Sequence, residues 1–193
     1  RHSFPTRRSS DLAPTSNGGS LITDYVIEYS SDSGSTWTTF NDGISTTASA
    51  TVTGLTNGTS YIFRVSAKNV IGTGSASTNS TAAVPSTVTN APTSVTGTSN
   101  ENGQSTVTWS APSSVGGAAI TDYIIEYSTN GSTYTVFSDT TSTNTQVIVT
   151  GLTNGVAYYF RVKAVNPSGS SAYGVSATTA TPTQVLTKPN APT

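Results

Sequence analysis

The sequence predicts an all-β fold: a sandwich of short antiparallel strands, repeated in tandem. Three observations point there. Charged residues make up only 9% of the 193, against about a quarter in ordinary soluble domains. Ser and Thr, 31 and 38 in number, stand where a helical protein would carry Leu, Lys, Glu and Gln, and the Thr, Val, Ile and Tyr content favours strands. Apolar and polar residues alternate with a period of two, and whole blocks of sequence return further along the chain. Two Trp, nine Tyr and five Phe at a net charge of -1 give enough apolar mass to close a core, which argues against disorder. The absence of Cys excludes disulfides, thiolate metal sites and a cysteine nucleophile.

The repeat sets the organisation. ITDYVIEYS at 22–30 returns as ITDYIIEYS at 120–128, and GLTNGTSYIFRVSAKN from Gly54 returns as GLTNGVAYYFRVKAVN from Gly151, offsets of 98 and 97 residues. Asn-Ala-Pro-Thr occurs at 90–93 and again at 190–193, as expected of a piece of a longer array. The expected units are 13–85 and 90–182, with a linker at 86–89 and the start of a further unit over 183–193. Residues 1–12 (RHSFPTRRSSDL) hold the only His and three of the eight basic residues, without the apolar stretch of a signal peptide. They resemble one translated frame of a short-read sequencing adapter, and are expected to be foreign to the protein and to pack against nothing.

In the second unit the strands follow in order. The first two are 93–98 and 105–109, the latter ending on Trp109. The third, 122–127, alternates Tyr123, Ile125 and Tyr127 with Ile124 and Glu126. After short strands at 134–137 and 146–149 comes 157–165, in which Tyr158, Phe160, Val162 and Ala164 alternate with Tyr159, Arg161 and Lys163. A last strand is expected over 173–180. Clusters of Gly, Asn, Ser and Pro between them supply the turns. Slipping the register by one residue would drive Glu126, Arg161 and Lys163 into the core, so the first set should be buried and the second should face outward. Seven strands in about 95 residues is the size of an immunoglobulin-like sandwich.

These residues carry a specific resemblance. Ala91-Pro92 at the start, Trp109 followed by Pro112, the ITDYIIEYS strand, and Gly151-Leu152 six residues before Tyr158 in YYFRVKAVN make the second unit similar to a fibronectin type III module. The first unit resembles it from Ala13-Pro14 onward, which align with Ala111-Pro112. Its first two strands are therefore expected to be missing, leaving one strand of that sheet around 50–53. The resemblance implies a structural core of Trp109, Tyr123, Ile125, Tyr127, Leu152, Tyr158, Phe160 and Val162, with Leu55 and Tyr61 as counterparts of Leu152 and Tyr158. Tyr158 and Tyr61 resemble the tyrosine corner, whose hydroxyl bonds backbone a few residues upstream. It also implies a non-catalytic spacer or interaction module of a larger secreted or cell-surface bacterial protein. Its partners would be neighbouring modules of the same chain, with polysaccharide or another protein as a ligand; no cofactor, nucleic acid or membrane span is expected. The alternative is an accessory carbohydrate-binding module of an extracellular polysaccharide-degrading enzyme.

The residues themselves offer no catalytic constellation and no metal set. Without a His beyond His2 there is no Ser-His dyad, and the carboxylates sit singly. Asp122 and Glu126 share a strand face but stand roughly 13 Å apart at about 3.3 Å per residue, beyond the roughly 5 to 9.5 Å of glycosidase pairs. Asp32 and the Asn41-Asp42-Gly43 turn lack the alternating ligands of a calcium loop. Glu126 with Arg161, and Glu28 with Arg64, read as exposed cross-strand ion pairs contributing about 0.2–1 kcal/mol. As a ligand platform, the candidates are Trp37 with Phe40 and Tyr134 with Phe137. The loops at 69–74 and 166–171 contain no Arg-Gly-Asp. Asn57, Asn79 and Asn130 begin glycosylation sequons, which arise readily by chance at this Ser and Thr content.

Overall fold

The computed structural model describes residues 13–99 and 101–184. The chain divides into two compact units, Arg1–Ser86 and Thr87–Thr193, and every regular element among the described residues is a strand. The first unit holds β1 (Ile22–Ser30), β2 (Thr38–Phe40) and β3 (Ile62–Asn69) in one antiparallel sheet ordered β2-β1-β3. The second unit contains β4 (Thr93–Gly97), β5 (Gln104–Ser110), β6 (Asp122–Ser128), β7 (Thr135–Val136), β8 (Gln146–Thr150), β9 (Tyr159–Asn166), β10 (Gly169–Ser170) and β11 (Gly174–Val175). These form two sheets, β4-β5-β8 and β10-β9-β6-β7, with β11 also on β9.

Alternation puts one face of each sheet of the second unit into a common core. Val95, Val107, Trp109 and Val149 come from one sheet, and Tyr123, Ile125, Phe160, Val162 and Ala164 from the other. Phe160 lies under β4 so closely that a Cβ on Gly97 would stand 2.6 Å from its ring, and only glycine leaves that space. Trp109 meets Tyr123 edge-on, with ring centroids 5.1 Å apart. Its indole N–H is buried without a partner at full hydrogen-bond geometry, the Tyr123 hydroxyl being the polar group that faces it.

Leu152, Tyr158 and Tyr61 are buried as well. The Tyr158 hydroxyl accepts the Thr153 N–H at 3.0 Å and the Tyr61 hydroxyl accepts the Thr56 N–H at 3.1 Å, a tyrosine corner in each unit. Two residues expected in the core differ. Tyr127 is half-buried, at the margin of the core and edge-on to Tyr158. Leu55 is half-buried too. Its counterpart Leu152 is anchored to the β4–β5 connection by its N–H on the Gly103 carbonyl, and the described residues of the first unit contain no such connection.

Three strand expectations also change. The segment 134–137 forms a ladder only over β7, extended by the Phe137 N–H on the Ile125 carbonyl. The segment 50–53 forms no strand; its counterpart β8 pairs with β5 alone, and no strand equivalent to β5 occurs among the described residues of the first unit. The expected 173–180 strand breaks into β11 and an isolated Tyr158–Ala180 bridge. Serine hydroxyls explain the break. Ser176 Oγ accepts the Phe160 N–H and Ser171 Oγ accepts the Ala164 N–H, so side chains replace ladder carbonyls and kink the edge. Ser80 and Ser77 do the same for Phe63 and Val65. An edge built this way offers little template for a further strand.

Candidate functional site

The outward faces of β6 and β9 carry the densest cluster of charged and aromatic groups. Register places Glu126 opposite Arg161, as it places Glu28 opposite Arg64. Arg161 Nε donates to Glu126 Oε2 at 2.7 Å, and Arg161 Nη2 pairs with the same oxygen. The Tyr173 hydroxyl donates to Oε1 at 2.6 Å. The Arg161 guanidinium stacks over two rings, Tyr134 and Tyr173, at 3.9 Å from each centroid, and Lys163 Nζ lies 5.1 Å from the Tyr173 centroid.

Glu126 is therefore only 5% exposed, which overturns the expectation that it faces solvent in an exposed ion pair. Burial alone would raise its carboxyl pKa, but the Tyr173 hydroxyl and the Arg161 guanidinium outweigh that and hold it below the usual carboxylate range. Tyr173 is the residue that sequence reasoning missed. Its signal was an isolated aromatic in a Ser-, Gly- and Ala-rich stretch.

The first unit has the simpler version. Arg64 Nε donates to Glu28 Oε2 at 2.8 Å and its guanidinium lies 4.0 Å from the Trp37 ring centroid. No aromatic occurs over 72–82, so nothing there corresponds to Tyr173.

The four-residue ligand platform does not assemble. Residues three apart on a strand point to opposite faces. Phe137 donates its N–H to the Ile125 carbonyl and packs against the core, whereas Tyr134 stands outside against Arg161. Phe40 pairs with inward-facing Ile27, while Trp37 lies under Arg64 with its indole N–H on the Gly34 carbonyl at 3.1 Å. Each outward ring thus has a guanidinium on one face.

Asp32 is a turn residue. Its carboxylate accepts the Thr36 hydroxyl, the Thr36 N–H and the Ser30 hydroxyl, in that order of effect, and its pKa falls from 3.8 to about 2. Asn130 fills the same turn of the second unit, its Oδ1 accepting the N–H groups of Ser132 and Thr133 at 2.9 Å. Asp139 is less solitary than expected. Burial raises its pKa, and the nearby charge of Asp122 adds to the effect. Among the described residues no three His, Cys, Asp or Glu side chains converge, and no helix is long and apolar enough to cross a membrane.

The fibronectin type III domain profile matches residues 6–83 and 90–181. The first match starts inside the stretch 1–12 expected to be foreign, and that stretch lies outside the described residues. Over 177 residues the chain is 29% identical to slow-type myosin-binding protein C of Rattus norvegicus, covering 82% of this chain and 28% of that protein. Over 132 residues it is 36% identical to chitinase A1 of Niallia circulans, covering 65% of this chain and 18% of that protein. The titin domains A168–A170 share the fold, with a TM-score of 0.56 at 24% identity over 84% of this chain and 61% of theirs. The chain thus spans less than a third of either curated relative. With two profile matches over two units that share the paired strands β1–β3 and β6–β9 and the same tyrosine corner, the chain belongs to the fibronectin type III family, as a tandem of non-catalytic modules of a multidomain protein.

Proposed function

We propose that these modules are spacer and interaction beads of a secreted or surface-attached bacterial protein, holding its other domains apart. The observation that carries this reading is the way the outward aromatics are used. Trp37 and Tyr134 each stack on an arginine of their own sheet, so the outer surface satisfies itself instead of presenting open rings. The low charge, the Ser and Thr content and the absence of Cys suit polar modules outside the cell.

A second reading, an accessory carbohydrate-binding module, is favoured by the similarity to chitinase A1. Stacking on a sugar would then use the ring faces of Trp37 and Tyr134 that the arginines leave free. Retention of the full chain on insoluble chitin and cellulose separates the two. The spacer reading expects none, with or without Trp37→Ala and Tyr134→Ala. Retention that these two substitutions abolish would establish the carbohydrate reading instead.

A further inference from the structure

The sheet edges of the second unit are not built alike. An edge offers unpaired N–H and C=O groups to any extended chain, and proteins blunt it with short strands, kinks, charges or bulges. On one sheet, β7 is two residues long, and the opposite edge is broken at Ser171 and Ser176. On the other, β4 shifts register between Thr93 and Thr96, where Ser94 takes a φ of 53°. β8 has none of these devices. Its five residues, Gln146–Thr150, run in unbroken register along β5, and no charged residue occurs anywhere over 140–160.

The direction of its backbone groups follows from one hydrogen bond. The Trp109 N–H donates to the Thr145 carbonyl, and alternation along an antiparallel ladder then turns Val147 and Val149 toward β5 as well. The N–H and C=O groups of Gln146, Ile148 and Thr150 point the other way, where the described residues place no strand. The Ile148 side chain stands on the outer face at 48% exposure, whereas Val149 lies in the core and Val147 at its margin.

We propose that β8 is a self-association edge, which pairs antiparallel with β8 of a second copy of this chain about a two-fold axis at Ile148. The strand is its own complement in that register. Ile148 faces the partner's Ile148 and Gln146 faces the partner's Thr150, each pair exchanging both backbone bonds. On the inner side Val147 lies beside the partner's Val149, so the apolar layer continues across the joint. A two-fold contact sets a residue on the axis against its own copy, and a charge there would repel itself. A neutral, β-branched edge centred on isoleucine fits a second copy for that reason. This goes beyond the spacer reading and holds whichever function the array serves.

The test raises the concentration of the full chain, and follows its mass by sedimentation and its amide exchange residue by residue. Dimers are expected, with exchange at Gln146, Ile148 and Thr150 slowed at least tenfold and β7, an edge of the other sheet, unchanged. Ile148→Lys and Ile148→Glu should each abolish both effects, with unchanged protection of β9 showing that the variants fold. Val136→Lys, at an exposed position of β7, should abolish neither. Mixing the two Ile148 variants should restore dimer and slowing, because opposite charges then meet at the axis. Exchange at the three amides that does not depend on concentration would overturn the proposal. So would dimers that persist in Ile148→Lys, which would put the contact on another surface. A mixture no better than either variant alone would overturn it too, since the axis could not then lie at Ile148.

Discussion

The two units share the strands 22–30 and 120–128 almost residue for residue, yet they bury them differently. In the second unit Phe160 and Val162 are fully buried; in the first, Phe63 and Val65 at the same places are half-buried. The difference lies opposite the sheet. The second unit has β4-β5-β8 across its core, and the described residues of the first unit form one three-stranded sheet. Strand pairing is therefore specified locally, by alternation and register, whereas burial is specified by a partner sheet. A sequence block can dictate its strands completely and still not dictate a core.

The largest expected consequence is autonomy. Expressed alone, residues 87–184 should melt in one cooperative transition, while residues 13–86 should show none by calorimetry. A large side chain left fully uncovered forfeits about 1.5–3 kcal/mol, so the half-buried Tyr25, Phe63 and Val65 together forfeit about 2–5 kcal/mol, a large part of the roughly 5–15 kcal/mol stability of an ordinary domain. A cooperative transition in the isolated first unit would break the comparison.

Next in size is Trp109. Trp109→Ala should cost the second unit about 3–5 kcal/mol and leave exchange in the first unit unchanged. Trp109→Phe should cost clearly less, because it keeps an aromatic ring against Tyr123. Equal losses for both, read from denaturant midpoints, would mean that a smaller ring fills the site no better than none.

Smaller, and on the outer faces, is the contrast between Glu126 and Glu28. Glu126→Gln should cost about 1–3 kcal/mol, because it disturbs a buried acceptor of Arg161 and Tyr173. Glu28→Gln should stay within about 1 kcal/mol, as surface pairs do. Tyr173→Phe should move Glu126 toward the ordinary carboxylate range and have no counterpart in the first unit.

These contrasts also show what could be read in the chain. The period of two located β1, β3, β6 and β9 because each has one wet face and one dry face, and the resemblance carried by Gly151-Leu152 and Tyr158 implied the corner. Alternation alone would have separated Tyr134 from Phe137, since residues three apart on a strand cannot share a face. Glu126 was different: its cover comes from Tyr173, 47 residues away, and no pattern within β6 encodes that. The broken last strand was hidden for a chemical reason. Serine reads as turn or surface in a sequence, whereas Ser171 and Ser176 act as ladder acceptors.

The smallest expected effect is an acid one. Asp32 has a depressed folded pKa of about 2, so its contribution is complete above the unfolded value near 3.8 and is lost as pH falls through about 2. The 30–36 turn should loosen over that interval, and Asp32→Asn should remove the dependence. The Asn130 turn should not respond. A carboxyl titration of Asp32 centred near 3.8 would show that its hydrogen bonds do not favour the ionised form.

Amide exchange in the intact chain tests the central claim most directly, by comparing β3 with β9, two strands identical at five of eight positions. With no facing sheet among the described residues of the first unit, β9 amides should exchange through global unfolding of the second unit, and the matching β3 amides at least a hundredfold faster. Equal protection across both strands would contradict it, and would mean that the β2-β1-β3 sheet buries its inner face as well as a complete sandwich does.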